Sequence, residues 1–401
     1  MKSKLTLLLT GLCLLLGSCQ KGLETSDYDE TGSCTVLVYM VAENSLYSNI
    51  YGNINDMLRA APKLRKGERV VLYVDDREFP RMYIIDKDSK TRFFDPVFEF
   101  NEDFNSASAG TLEKVIEYTR SLCPAREYGY VFWSHGSGWI PDSDAAKAQT
   151  RAFGADNQKN STSDMPAFHM NVTDLADVLH KFGKARFVMF DACFMQTIEV
   201  AYELRDVTDY IIGSPAEIPA YGAPYDLQLS HYFADPFCAD SLAYDYWDLY
   251  ANDDEHNDMG IAASVIKTSE LEQLAAATRR YIRIDNLSEL DVKLLRNNYF
   301  RWDEWRYGAH YPDACDMRSI MKYELSASDY EEWMKSLRRA VPAWYCTKSW
   351  YSAYCKRNLP IDSTQFCGVS MYIPRSEYRK KGESFYNDYY ETSWYKAISG
   401  E

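Results

Sequence analysis

Beyond its first nineteen residues this chain lacks any apolar run long enough to cross a bilayer as a helix. It also lacks a basic excess. With 59 acidic against 44 basic side chains the formal net charge is −15, so nucleic acid and anionic lipid surfaces are poor partners. There is no Cys-x-x-Cys pair, which leaves a thiolate-held metal with little support. Internal repeats and low-complexity tracts are absent as well. What is present is an ordinary globular composition, 46% hydrophobic and 26% charged over 401 residues, enough for one large or two ordinary domains. An acidic surface favours the approach of basic peptides, although acidity also serves solubility alone.

The opening segment reads as an export signal. Lys2 and Lys4 precede the apolar run Leu5 to Leu16, which is too short to span. It ends in Leu16-Gly17-Ser18-Cys19, resembling a bacterial lipoprotein signal in which Cys19 becomes the lipidated mature N-terminus; an ordinary secretory signal is the plainer alternative. The expectation is an envelope protein anchored by lipid alone, with residues 1–18 removed and 19–33 a polar tether. Eight cysteines then remain, at 34, 123, 193, 238, 315, 346, 355 and 367. Export permits disulfides, but their pairing is not readable from sequence. A free Cys193 would leave an odd number, so at least one more is unpaired or linked outside the chain.

From residue 34 short apolar runs alternate with helical periods, the pattern of an α/β sheet covered by helices. Strands are expected near 35–41, 69–74, 82–86, 128–133, 186–191 and 210–213, and helices near 46–60, 110–122 and 172–182 and through Ile198 to Ala201. Residues 34–225 form the expected core. A helix-rich region, 226–401, completes the sheet, and its apolar runs at 260–266 and 367–373 either join that sheet or form a small second layer. Residues 140–171 are polar and aperiodic, the longest candidate loop.

Two strand ends deliver reactive side chains where a parallel sheet opens. One carries His135 into the glycine-rich turn Ser134-His135-Gly136-Ser137-Gly138; the next core strand carries Cys193, read as lying at a helix start. A helix N-terminus favours a thiolate, and an imidazole suits proton transfer near neutrality. The backbone N–H groups of Gly136 and Cys193 would then form an oxyanion hole for covalent acyl transfer. The plainer alternatives are a buried small hydrophobe at 193 and a hydrogen-bonding loop histidine at 135.

The run from Tyr128 to Trp139 (YGYVFWSHGSGW) resembles the catalytic-histidine motif of the clostripain family. Phe190 to Gln196 (FDACFMQ) resembles its nucleophile motif, Asp-Ala-Cys-x-Met. Val36 to Leu46, Gly213-Ser214 with Pro219 to Tyr225, and Cys367 to Pro374 are similar to further family segments, in order along residues 35–374. The resemblance implies a caspase-like three-layer sandwich with a mostly parallel central sheet, and cysteine endopeptidase activity after Arg or Lys. Asp191, two residues before Cys193, would meet the basic side chain through a charge-assisted bond, with Ser214 and Glu217 further substrate-binding candidates; Asp191 as a cap of the next helix is the alternative. Pro215-Ala216, Ala220 and Ala223 depart from the family pattern. Self-processing in the 140–171 loop, which holds Lys147, Arg151 and Lys159, is expected after Lys147 or Arg151. No cofactor is implied. Calcium activates certain relatives, and the run Asp253 to Asp258 is the acidic candidate, without the spacing of a recognised loop. A glycan- or peptide-binding lipoprotein would also suit thirty-two tyrosines and nine tryptophans, and would need no reactive Cys193; a scaffold homologue would keep the fold without the activity.

Overall fold

The computed structural model describes residues 31–90, 95–140, 153–157, 168–256, 258–287, 299–302, 314–353, 355–382 and 384–400. Its frame is set by β1 (Gly32–Val41), β2 (Glu68–Asp75), β3 (Arg81–Ile85), β4 (Phe98–Glu99) and β5 (Ala125–Trp133). These are followed by β6 (Phe153–Asp156), β7 (Phe168–Met170), β8 (Phe187–Asp191), β9 (Tyr210–Gly213) and β10 (Ala262–Lys267). The last are β11 (Ala314–Asp316), β12 (Ala343–Cys346), β13 (Ser349–Ser352), β14 (Arg357–Pro360) and β15 (Ser370–Tyr372).

Among the described residues nine of these strands form one sheet, in the order β12-β10-β9-β8-β5-β1-β2-β3-β4. The five central strands, β9 to β2, run parallel, and antiparallel strands close both edges. β1 shows why the centre is parallel. Its β-branched and aromatic residues leave nothing from Cys34 to Val41 exposed, as a strand covered on both faces requires. Leu37, Tyr39 and Val41 enter one core and Val36, Val38 and Met40 the other, following the two-residue side-chain period. Helix Ala109–Leu122 covers the first face through Leu112, Val115, Ile116 and Leu122. Its Ser108 cap accepts from Thr111 N, and the helix ends at Cys123, ahead of Pro124. Helices Ile50–Ala60 and Ala239–Asn252 cover the second face. The three-layer sandwich is therefore as expected.

Some details differ from expectation. The first helix begins at Ile50, because Asn44 ties residues 44–46 into a turn by accepting from Leu46 N. The run at 260–266 joins the sheet as β10, whereas that at 367–373 supplies β15, paired with β11 in a separate two-stranded ladder. β12, unforeseen, forms an edge. Within 140–171, β6 pairs with β7; Lys147, Arg151 and Lys159 lie outside the described residues, as do Cys19 and the leader. No described helix is long and apolar enough to cross a membrane. All eight described cysteines are free thiols, and 34, 123, 315 and 367 are buried.

Candidate functional site

β5 and β8 are parallel neighbours in which Trp133 stands opposite Asp191. His135 and Cys193 each follow that pair by two residues, so both leave the sheet at one level on adjacent strands. The two turns touch through backbone. A Cβ added to Gly136 would lie 2.7 Å from the Cys193 carbonyl oxygen and 2.9 Å from Met195 Cγ, so only glycine permits this approach. Phe194, directly after the cysteine, holds a left-handed backbone at φ 61°, a strained conformation that bulky residues adopt only where surrounding contacts enforce it. Those contacts come from the 214–218 segment: Phe194 N donates to Ala216 O at 2.9 Å and Gln196 N to Ser214 O at 3.0 Å.

The sulfur and the imidazole are each partnered. Cys193 Sγ accepts from Ile218 N at 3.4 Å, and it is half-buried. His135 Nε2 lies 2.9 Å from the exposed Ser45 hydroxyl. Behind the ring, Ser134 Oγ donates to Val41 O at 2.7 Å and accepts from Ala155 N at 3.1 Å. Gly154 N donates to His135 O at 3.0 Å, and Asn44 Nδ2 to Ala155 O at 2.7 Å. β6 and the turn after β1 thus grip the histidine segment from two sides.

Two expectations about the cysteine's surroundings need correction. The helix after Cys193 does not start there; it begins at Ile198, where Thr197 Oγ1 accepts from Val200 N. The field of a helix fades within a turn of its start, and an N–H that does reach the sulfur is that of Ile218, at 3.4 Å. Asp191 does not cap that helix either. Its carboxylate turns inward, accepting from Tyr225 Oη at 2.8 Å, Ala223 N at 3.1 Å and Tyr246 Oη. It is 2% exposed, and burial raises its pKa although these three donors oppose the rise. Gly222 lies across it so closely that a Cβ there would sit 2.8 Å from Oδ2.

The remaining candidates are also inside. Ser214 Oγ closes its own turn, accepting from Ala216 N at 3.1 Å. Glu217, 4% exposed, accepts from Ala353 N at 3.0 Å through Oε1, one residue before the N–H that meets the sulfur. Sequence reasoning missed Ser45, Ile218 and the tyrosine pair 225/246, because each comes from a segment far along the chain that only the strand order brings near. Ser45 and Tyr225 carried a signal, as parts of the Val36 to Leu46 and Pro219 to Tyr225 segments.

Of the acidic run at 253–258, the residues Asp253 to His256 form a turn after helix Ala239–Asn252, in which Asp253 Oδ1 accepts from Glu255 N and sits 2.9 Å from His256 Nδ1. Among the described residues, carboxylates close enough to share a cation lie elsewhere, at Glu43, Asp75 and Asp103.

The clostripain family model matches residues 38–400. The clostripain of Hathewaya histolytica is 23% identical over 239 residues, taking in 53% of this chain and 44% of that enzyme, so the match spans less than half of its length. A secreted C11 cysteine protease from Bacteroides thetaiotaomicron, solved with an irreversible peptide inhibitor, superimposes with a TM-score of 0.77 at 29% identity, over 92% of this chain and all of that one. An inactive zymogen C11 protease from Parabacteroides distasonis gives 0.75 at 26%, over 92% and 99%. The family match takes in the turns that carry His135 and Cys193 and nearly the whole described sheet, and the chain belongs to the clostripain family.

Proposed function

We propose that this chain is a cysteine endopeptidase in which Cys193 is the nucleophile and His135 the acid/base partner, cleaving after Arg or Lys. The observation that carries the reading is the backbone contact of Gly136 on Cys193 at the shared edge of β5 and β8. In the first step the thiolate attacks the peptide carbonyl and a C–S bond forms. His135 returns a proton to the departing amine, leaving a thioester. Water, deprotonated by the same imidazole, then releases the acid and restores the thiol. The N–H groups of Gly136 and Cys193 are the oxyanion donors in this scheme.

Basic preference rests on two carboxylates beside the nucleophile. Asp191 and Glu217 are both buried within two residues of Cys193 or of its Ile218 contact, and an arginine or lysine side chain would neutralise them. Because Gly222 and Ala223 cover Asp191, the 214–223 segment has to shift for a substrate to reach that carboxylate. Export is consistent with the secreted relative; lipid attachment at Cys19 and self-cleavage after Lys147 or Arg151 complete the proposal, with a peptide or protein substrate and no cofactor in the chemistry.

The test is a set of fluorogenic peptides with Arg, Lys, Asn, Asp or Ala before the scissile bond. Wild type should turn over only the Arg and Lys substrates, and Cys193→Ala none. Equal rates in the two proteins would end the proposal.

A further inference from the structure

A cavity of about 150 Å³ lies among the helices that cover the first face of the sheet. Four of the residues lining it are acids. Glu199 and Glu203 come from helix Ile198–Glu203, Asp388 and Glu391 from helix Ser384–Glu391. Trp139, Val172 and the methyl-bearing Thr173 and Thr392 supply a largely apolar wall. Glu199 is 2% exposed and forms the floor, Glu203 and Asp388 are half-buried, and Glu391 is exposed at the mouth. Glu199 Oε1 accepts from Tyr372 N at 2.8 Å, whereas the buried Oε2 has no hydrogen-bond partner. The Thr197 hydroxyl, which accepts from Val200 N, eases that charge only from outside hydrogen-bonding geometry. A proton on Oε2 would not resolve the deficit, because the new O–H would still lack an acceptor.

An unpartnered buried carboxylate beside a cavity calls for a cation, and the surroundings narrow its kind. Among the described residues, no three of these carboxylates come close enough to share one metal ion. The apolar wall also suits carbon better than a hydration shell. With Oε1 held by Tyr372 N, one oxygen is left, which matches the point charge of an ammonium and leaves the two-pronged fork of a guanidinium half unused. The bases on flanking segments are already engaged: Lys396 with Glu391 at 3.1 Å, and Arg205 with Glu272 at 2.9 Å. A cavity of ~150 Å³ can admit benzene, so an unbranched four-carbon amine, with one heavy atom fewer, fits. Trp139 packs against Tyr372 and Tyr389, with ring centres 5.2 and 5.6 Å away, and gives the chain a fixed aromatic side.

We infer that this cavity binds one primary alkylammonium group, with its nitrogen on Glu199 and its carbon chain along Trp139 and Val172. The group is either a free amine or the side chain of a lysine. Binding is tied to pH. Burial lifts the Glu199 pKa from 4.5 to about 7, although the N–H groups of Tyr372 and Glu199 and the Thr197 hydroxyl oppose the rise. An ammonium needs the carboxylate, so below about pH 7 it must expel that proton, and affinity falls there by up to about tenfold per pH unit. Above that pH the affinity levels off. Facing Glu199 are Glu203 on its own helix, Asp388 and Glu391 across the cavity, and the rings of Tyr372 on β15 and Tyr389. The Tyr389 hydroxyl stays protonated, its pKa held well above the usual value by burial first and by Glu199 next; Val172 and Thr173 bring no charge. Glu199 and Glu203 take no part in the chemistry at Cys193 and His135, so the inference stands apart from the peptidase reading.

The probe is n-butylammonium chloride, titrated calorimetrically into the full chain at constant ionic strength. One ion per chain should bind at pH 8, and n-butylguanidinium should bind about tenfold or more weakly. Glu199→Gln keeps an amide oxygen for Tyr372 N and should lose about ten- to hundredfold in affinity, the worth of a hydrogen bond to a charged group. Glu203→Gln changes a half-buried side chain and should lose roughly a few-fold. Nα-acetyl-lysine methylamide binding as tightly as butylammonium would assign the site to a peptide-borne lysine. Its exclusion, with butylammonium and 1,5-diaminopentane both bound, would assign the site to a free amine. Undiminished binding by Glu199→Gln, or by Glu203→Gln where the first variant does not fold, would put the amine elsewhere, such as the cleft beside Cys193, and overturn the inference. No binding by wild type, or an affinity that stays flat from pH 5.5 to 8, would overturn it as well.

Discussion

Replacing Gly136 by alanine adds one carbon at the contact on which the site depends. That carbon would lie 2.7 Å from the Cys193 carbonyl oxygen, 2.9 Å from Met195 Cγ and 3.0 Å from Met195 Sδ. Methionine is adaptable, but Met195 is fully buried, and the carbonyl belongs to a turn already strained at Phe194. The two turns must therefore part by several tenths of an ångström or more. Overpacking of this kind costs about 1–3 kcal/mol of stability, which lowers the melting temperature by a few degrees in a chain of this size. The effect on turnover should be larger, because a misplacement of about 1 Å at reacting groups costs on the order of a hundredfold in rate. The assay is kcat/KM on an Arg peptide beside a thermal melt. Gly52→Ala is the control: it lies in helix Ile50–Ala60 with nothing within 4 Å of the added carbon, and should gain about 0.5–1 kcal/mol without touching activity. Full kcat/KM in Gly136→Ala would refute the claim that the histidine and cysteine turns are held in register by this contact.

Ser45→Ala removes the hydroxyl at His135 Nε2 and should lower kcat about tenfold, the worth of one hydrogen bond near 1.4 kcal/mol, with KM little changed; an unaltered kcat would make that contact incidental. Asp191→Asn should lose turnover of Arg and Lys peptides by about a hundredfold while slow Ala-peptide cleavage persists; a parallel fall on both would mean that Asp191 only supports the fold through Tyr225 and Tyr246. Burial pushes Glu199 up from 4.5 to about 7 and Asp316 from 3.8 to about 6. In both cases the folded chain holds the proton more tightly than the unfolded one, so stability from these groups rises as pH falls through their folded pKa values, at most by about 1.4 kcal/mol per unit for each. Melting temperature should accordingly rise between pH 7.5 and 5.5 (about the window set by Glu199), and Glu199→Gln should flatten the slope. Native alkylation should spare Cys34 and Cys123, whose burial raises their pKa to about 12, and mark Cys193 and the exposed Cys238; early modification of Cys34 would contradict the packing.

The sheet was legible because its central strands are covered on both faces, which forces runs such as Val36 to Val41 that nothing else in a folded chain requires. The position of His135 and Cys193 past adjacent strand ends was legible for a related reason: strand ends are marked by where such runs stop. What stayed hidden depends on strand order. No local pattern at Ile218, Ser45 or Tyr246 says that a chain returning from 25, 90 or 55 residues away will present its N–H or hydroxyl to Cys193, His135 or Asp191 respectively. Helix starts were also misplaced, at 46 and at 193, because local hydrogen bonds from Asn44 and the strained turn at Phe194 outweigh helical periodicity there. The carboxylate cluster escaped notice since Glu43, Asp75 and Asp103 are scattered in sequence, whereas the contiguous acids from Asp253 to Glu255 drew attention and proved to lie in a solvated turn.

The most direct measurement is mass mapping of the chain after reaction with a peptide affinity label that carries arginine at its reactive end. One adduct on Cys193 in wild type, strongly slowed in His135→Ala and absent from Cys193→Ala, is the result this account predicts. Labelling that ignores both substitutions, or that settles on another thiol while peptide turnover stops, would contradict it.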